Sequence, residues 1–205
     1  MNNNKGFTLI ELIAVVVILG IIAIITVPNV NSYIIESRKD AFAEVGKNYI
    51  SSVRTSLSSK DYYVNGNKNL TCKLPTAGKY TAIRIDKIAT ESDIEQSPFK
   101  RSLEVSGSSS RGYVIAVNVS LLTGKDYDIV YYFAAIDAGG NGIDQFVSES
   151  DLSGDVVKRS NANQDRTSNY KKNLLSTTSP ITIKTGAYNG KTFQFYQECG
   201  GIIDG

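Results

Sequence analysis

The sequence lacks histidine and tryptophan, and it contains only two cysteines, four prolines and one methionine among its 205 residues. Histidine is the commonest general base and the commonest metal ligand, so its absence makes acid–base catalysis and a transition-metal site unexpected. The 22 Lys and Arg residues nearly balance the 20 Asp and Glu residues, which leaves a net charge of +2. This balance does not indicate electrostatic binding of nucleic acid. We expect a protein that is not an enzyme, needs no cofactor and binds no nucleic acid.

The glycine-rich residues 137–144, DAGGNGID, are the segment that comes nearest to a ligand-binding loop. Oxygen ligands from Asp137 to Asp144 are one way to hold calcium. However, the EF-hand pattern requires more acidic positions and a bidentate glutamate, which this segment lacks at that spacing. A hairpin turn explains the same residues, because Gly and Asn tolerate positive φ. We interpret the segment as a turn, keep calcium as the alternative, and expect no metal site.

The two cysteines, Cys72 and Cys199, lie far apart in the sequence. In a reducing compartment they are expected to be free thiols, whereas outside the cytoplasm an even count suggests a pair. A bridge between them closes a long loop and is worth about 4–5 kcal/mol in the chain-entropy model. We treat Cys72–Cys199 as a candidate disulfide.

The N-terminal stretch begins with a short polar leader, residues 1–6, and continues into a long apolar run. From Leu9 to Val27 the only exceptions are Glu11, Gly20 and Thr26. The run is close to the roughly 20 residues that a helix needs to cross a bilayer. It is too long for the core of an ordinary signal peptide, and no small-residue cleavage site follows it. The pattern predicts a membrane helix over residues 7–28, in which Glu11 is an unusual carboxylate.

The helical pattern does not end with the apolar run. Apolar residues continue at steps of three, four or seven, which predicts an amphipathic helix over residues 29–59. The residues of this stripe are Val30, Ile34, Ala41, Val45, Tyr49, Val53 and Leu57, with Phe42 and Ile50 beside them. Pro28 lacks an amide hydrogen and is expected to kink or locally melt the helix. Gly20 and Gly46 are further weak points, each costing about 1 kcal/mol relative to alanine.

Residues 60–205 are expected to form a globular head dominated by strands. Segments 112–119 and 127–136 are the strongest strand candidates, and the short joint between them predicts an antiparallel hairpin. Weaker candidates are residues 80–85, 143–147, 181–184 and 192–196. We predict an α+β fold in which one long helix packs its stripe against an antiparallel sheet. Such a sheet can leave its other face polar.

Residues 5–12, KGFTLIEL, followed by an apolar span and Pro28, resemble the type III signal sequence of type IV prepilins and pseudopilins. The resemblance covers about the first 35 residues in detail, and beyond them it extends only to the helix-then-sheet layout. It implies the pilin roll as the fold. It also implies that a prepilin peptidase cuts between Gly6 and Phe7 and methylates the new amino group of Phe7.

The same resemblance implies the role of Glu11, which neutralises the terminal amine of a neighbouring subunit during assembly. The implied partners are identical or related pilin subunits in a helical polymer, an inner-membrane assembly platform and, before assembly, membrane lipid. The implied locations are the cytoplasmic membrane for the precursor and the cell surface for the filament. The cysteines fit the family only in part, since its paired cysteines usually enclose a C-terminal loop and Cys72 lies far upstream.

Three interpretations stay open at this level. The first is a subunit of a type IV pilus, and the second is a pseudopilin of a type II secretion system or a minor pilin. The third belongs to another class, a membrane-anchored extracytoplasmic domain with a binding or catalytic role, for which Gly6 and Glu11 are dispensable. The sequence does not distinguish adhesion, twitching motility, DNA uptake and secretion.

Overall fold

A computed structural model describes residues 6–59, 74–85, 88, 96–103, 112–159 and 180–199. Leader residues 1–5 and Cys72 lie outside these ranges. The chain divides into two compact units, residues 1–37 and residues 38–205. The long helix α1 spans Leu9–Ser59 within these ranges, so it begins two residues later than predicted. Among the residues that the structure describes, no helix is long and apolar enough to qualify as a membrane span.

In the unit of residues 38–205, α1 presents an apolar stripe that is fully buried. The stripe consists of side chains at helical spacing, namely Phe42, Ala43, Tyr49, Ile50, Val53 and Leu57. Their spacing of three, four or seven places them on one face, which confirms the predicted amphipathic helix. Three residues that the sequence placed on this stripe are exposed instead, namely Val30, Ile34 and Ala41.

Within the described residues, six strands form one sheet in the order β4-β3-β2-β1-β6-β5. The strands are β1 Lys79–Arg84, β2 Gly112–Asn118, β3 Ile129–Ile136, β4 Gly142–Ser148, β5 Ile181–Thr182 and β6 Thr192–Cys199. A short helix, α2 Ser120–Thr123, joins β2 to β3, and 3-10 turns occupy Glu149–Asp151, Gly154–Val156 and Gly186–Tyr188. All six predicted strands are present. The predicted β2–β3 hairpin is also confirmed, with Val117 opposite Val130.

The α+β class is confirmed, but one detail of the predicted sheet is wrong. The sheet is mixed and not wholly antiparallel, because β6 pairs with β1 in parallel. The second face, which an antiparallel sheet can leave polar, is not polar along β2, since every residue of β2 is buried. Strands covered on both faces have near-continuous apolar sequences, and the run from Val114 to Val117 is of this kind. The unbroken apolar run is thus the feature of the sequence that indicates burial on both faces.

Two apolar clusters fill the two faces of the sheet, because successive strand residues point to opposite sides. Phe133 belongs to the cluster that includes Ile50 and Val53 of α1. Its neighbour Tyr132 belongs to the other cluster, together with Phe193 of β6. The helix thus covers one face of the sheet, and a second apolar cluster lies on the other face.

Thr185, which follows β5, shows how the sheet encloses this second cluster. Its hydroxyl donates to the carbonyl oxygen of Phe146 at 3.2 Å and accepts from the amide nitrogen of Ser148 at 3.1 Å. Phe146 and Ser148 lie on β4, at the opposite end of the strand order from β5. The sheet is therefore curled, and the two hydrogen bonds of the Thr185 hydroxyl connect its two ends.

At Gly46, α1 approaches the sheet closely. A Cβ atom built on Gly46 would lie 2.7 Å from Cδ1 of Phe133, a distance that real Cβ contacts do not show. The Phe133 ring is buried and stacks on Tyr49, with the two ring centroids 6.0 Å apart. Gly46 is thus more than a weak point in the helix, because the absence of a side chain allows this contact.

Candidate functional site

The N-terminal segment from Gly6 to Glu11 begins with extended residues and enters α1 at Leu9. Thr8 is the residue that precedes the helix, and its side chain and backbone both contact Glu11. The carboxylate oxygen Oε2 of Glu11 accepts hydrogen bonds from the Thr8 amide at 2.8 Å and from the Thr8 hydroxyl at 2.9 Å. In return, the Glu11 amide donates to the Thr8 hydroxyl oxygen at 3.4 Å.

This reciprocal pair is a capping box, the pattern Thr-x-x-Glu in which each residue satisfies the other's free amide. It explains why the helix begins at Leu9 and not at Phe7. It also gives Glu11 a role within its own chain, and Thr8 is the functional residue that sequence reasoning missed. A signal for it exists, because the four-residue pattern from Thr8 to Glu11 can be read in the sequence.

The capping box occupies only one of the two carboxylate oxygens of Glu11. Among the described residues, Oε1 has no hydrogen-bond partner. Glu11 is also an exposed residue. Glu11 can therefore hold the start of the helix with one oxygen and accept a positively charged group with the other.

Gly6 and Phe7, the two residues of the predicted cleavage site, are both exposed, and Phe7 keeps 90% of its surface. Among the described residues, and apart from its two chain neighbours, no atom would lie within 4 Å of a Cβ atom at Gly6. Packing against the described part of the chain thus gives no reason for a glycine at this position.

The large apolar side chains in the first part of α1 are exposed as well. They include Leu9, Ile10, Val15, Ile18, Ile21 and Ile24. The hydroxyl of Thr26 bonds to the carbonyl oxygen of Ile22 at 3.0 Å, so this polar group is satisfied inside the helix. Pro28 lies within α1, and the bend predicted there stays a prediction.

The structure does not test the predicted disulfide. Cys72 lies outside the described residues, and only the backbone of Cys199 is described. That backbone belongs to β6, where Cys199 pairs with Ile83 of β1. The bridge between Cys72 and Cys199 therefore stays a prediction.

Asp137, the first residue of the glycine-rich segment, is completely buried and surrounded by donors. Its carboxylate accepts from the Ser97 hydroxyl at 2.7 Å and from the amide nitrogens of Gly139 and Asn141 at 2.8 and 2.9 Å. Asp144 instead pairs with Lys158, at 3.1 Å between Oδ1 and Nζ. These bonds favour the turn interpretation over calcium, because a cation at Asp137 would have to displace its hydrogen-bond donors. No cluster of three potential metal-ligating side chains occurs in the described part of the chain.

Comparison with known proteins identifies the N-terminal segment. Residues 1–27 match the family model described as the prokaryotic N-terminal methylation motif. The resemblance is thereby confirmed for this segment, which carries the signal of type IV pilin and pseudopilin precursors. No curated protein and no solved structure matches the chain.

Proposed function

We propose that this protein is a structural subunit of a type IV pilus. A prepilin peptidase cuts the precursor after Gly6 and methylates the amino group of Phe7, and the mature chain then polymerises through its N-terminal helix. The match of residues 1–27 to the methylation motif carries this proposal. The motif belongs to pilin-type structural proteins, which agrees with a sequence that has no histidine.

The exposure of Gly6 supports processing at this position. A peptidase must reach the backbone on both sides of the scissile bond, and a glycine leaves that backbone uncovered. Since no atom of the described residues beyond its chain neighbours would contact a side chain at Gly6, we assign the requirement for glycine to the peptidase. Phe7, which becomes the first residue of the mature chain, is exposed to the same enzyme for methylation.

Glu11 supports the assembly step. Its free oxygen Oε1 can accept a hydrogen bond from the terminal amine of a neighbouring subunit, while Oε2 keeps the capping box intact. The attraction between a carboxylate and an amine is strong where water is excluded, as between packed helices. The capping box survives cleavage, because Thr8 and Glu11 both lie on the mature side of Gly6.

The exposed apolar surface of α1 supports both states of the subunit. Burial of apolar surface is favourable at about 25 cal/mol per Å². Covering this exposed apolar surface with lipid or with other subunits therefore lowers the free energy. In the proposal, residues 7–28 are covered by lipid in the cytoplasmic membrane and later by other subunits in the filament. Pro28 accommodates the change in packing, and an inner-membrane platform transfers the subunit. The unit of residues 38–205 contains the head.

The N-terminal residue of the mature protein tests this proposal directly. Mass spectrometry of the protein from its native membrane is expected to find a chain that starts at N-methylated Phe7. The Gly6→Ile variant is expected to stay as an uncut precursor, whereas Gly20→Ile, a matched change inside α1, is expected to be processed normally. A mature chain that starts at Met1, or a Gly6→Ile chain that is cut normally, would overturn the assignment.

Pseudopilins of type II secretion systems and minor pilins carry the same motif and are the second candidate. The motif favours this second candidate as much as it favours a major pilin, because the motif is the same in abundant and in rare subunits. Quantification of the chain in purified filaments separates the two. A major pilin is expected to be the main protein of the filament, and a minor pilin or pseudopilin a small fraction of it.

A further inference from the structure

A cavity of about 220 Å³ opens in the unit of residues 38–205, apart from the N-terminal segment. Its walls come from the start of β3, from the residues that follow β4, and from the 3-10 turn Gly186–Tyr188, with one side chain from α1. The residues that matter for its chemistry are Arg54, Tyr131, Tyr132, Ser148, Glu149 and Tyr188. Small-molecule sites for drug-sized ligands measure about 300–1,000 Å³, so this cavity has the size for a single ring.

The two charged groups of the cavity neutralise each other. The guanidinium group of Arg54 forms an ion pair with the carboxylate of Glu149. The Arg54 Cζ atom also lies 5.0 Å from the centroid of the Tyr131 ring, over its face. No other charged residue lines the cavity in the described part of the chain. A ligand that carries a net charge therefore gains little here, and a neutral polar ligand fits best.

Tyr132 supplies the observation that points to a ligand. Tyr132 is one of the residues that line the cavity, it is only 1% exposed, and its hydroxyl has no hydrogen-bond partner among the described residues. Burial, with smaller contributions from Tyr188 and Asp151, raises the pKa of Tyr132 to about 12. The group is therefore a neutral donor at physiological pH. A buried hydroxyl without a partner costs free energy, which a ligand oxygen can recover.

Further hydroxyl groups surround this donor. The Oγ atoms of Ser148 and Ser150 lie 3.0 Å apart, and both residues line the cavity. Tyr188 lines it as well and is only half-buried, so part of its ring is available for contact. The cavity thus combines an aromatic surface with hydroxyl donors and acceptors, an arrangement in which tyrosine serves both functions.

We propose that this cavity binds a single neutral sugar ring, such as a hexose unit of a glycan. A hexose has an apolar C–H face that packs on an aromatic ring and hydroxyl groups around its rim that exchange hydrogen bonds with serine, tyrosine, arginine and glutamate. It carries no charge, in agreement with the paired Arg54 and Glu149. The proposal does not depend on pilus assembly, since every residue it uses belongs to the unit of residues 38–205.

The test uses the full chain in a detergent without a sugar headgroup, such as dodecylphosphocholine. Saturation-transfer NMR is recorded with D-glucose, D-galactose, D-mannose and N-acetyl-D-glucosamine, and the dissociation constant of each sugar that binds is measured by titration. At least one of the four is expected to bind. Tyr132→Phe removes only the hydroxyl and is expected to weaken binding about three- to tenfold. Tyr188→Ala removes the aromatic surface and is expected to weaken it more than tenfold.

Tyr127→Phe is the matched control, because Tyr127 is an exposed tyrosine outside the cavity. It is expected to bind as the wild type does, and near-ultraviolet circular dichroism verifies that each variant is folded. The proposal is overturned if none of the four sugars binds to the wild type. It is also overturned if either folded cavity variant, Tyr132→Phe or Tyr188→Ala, binds as tightly as the control.

Discussion

The two parts of α1 use apolar residues in opposite ways. Ile18, in the unit of residues 1–37, keeps 56% of its surface exposed, whereas Ile50, in the unit of residues 38–205, is completely buried. The first part is apolar on all sides from Leu9 to Val27, and Glu11 is the one carboxylate in that range. The second part is apolar on one side only and carries charges on the other. A helix that is apolar all round requires surroundings that its own chain does not supply.

The comparison separates residues that stabilise the fold of the head from residues that, in the proposed function, contact other molecules. A residue such as Ile50 stabilises the head, because its burial removes apolar surface from water within one molecule. A residue such as Ile18 keeps more than half of its surface exposed, and in the proposed function it is covered by lipid or by another subunit. The same residue type thus has two functions, which substitutions can separate.

Among the substitutions, Glu11→Val is expected to have the largest effect, a loss of filament assembly. The variant should be processed normally but should form few or no filaments, because a neighbouring amine loses its carboxylate partner. Filaments sheared from cells and counted by electron microscopy measure the loss. Glu44→Val, which removes an exposed carboxylate from the other part of α1, is the control and should leave filaments intact. Normal filaments from Glu11→Val would contradict an assembly role for this residue.

Ile50→Ala tests the buried side of the comparison. A completely buried isoleucine that is truncated to alanine leaves a cavity, so the free energy of unfolding of the head should fall by about 2–5 kcal/mol. Ile18→Ala should change it by less than about 0.5 kcal/mol. Urea unfolding of the full chain in detergent, followed by tyrosine circular dichroism, measures both values. Equal losses from the two variants would mean that the two surfaces do not differ as described.

Gly46→Ala and Gly20→Ala compare the two helix glycines. Alanine favours a helix by about 1 kcal/mol relative to glycine, so the higher helix propensity stabilises α1 equally in both variants. At Gly46 the new methyl group meets the Phe133 ring, and overpacking of this kind costs about 1–3 kcal/mol. We expect Gly46→Ala to lower the melting temperature of the head and Gly20→Ala to leave it unchanged. A higher melting temperature for Gly46→Ala would show that the ring moves aside easily.

Arg54→Met is expected to have a smaller effect on stability than Ile50→Ala or Gly46→Ala. Arg54 connects α1 to the sheet through Glu149 and the Tyr131 ring, but the guanidinium is half exposed, and exposed ion pairs contribute only about 0–1 kcal/mol. The free energy of unfolding should fall within that range, and less in high salt. Lys47→Met, which removes the ion pair to Glu44 inside the helix, should cost still less. A loss at Arg54 that does not decrease with salt would show that packing on Tyr131 dominates.

The N-terminal site was largely predictable because its information is local. The residues from Gly6 to Glu11 are consecutive, and the apolar run that follows them can be recognised from its residue types alone. The capping box is also encoded within four residues, and it was missed only because Glu11 was considered for its charge and not as a partner of Thr8. Strand positions are local in the same sense, as the agreement for β2 and β3 shows.

The pairing of β6 with β1 could not be predicted in this way. Lys79 lies opposite Gln194 in that ladder, so the contact joins residues that are distant in the sequence. No short-range pattern selects one strand among several as the neighbour, because each offers the same backbone groups. The cavity depends on such pairings too, since Arg54, Tyr132 and Tyr188 come from a helix, a strand and a turn that only the fold brings together.

The sequence by itself determined the start of α1, the two kinds of apolar surface along it, and the positions of the strands. These features depend on hydrophobic period, capping and turn chemistry, which act over a few residues. The tertiary structure alone decided that Gly46 contacts Phe133, that Thr185 connects the two ends of the curled sheet, and that Arg54, Tyr132 and Tyr188 line one cavity. The physical reason is that close packing and hydrogen bonding select among distant partners only when the whole core is assembled.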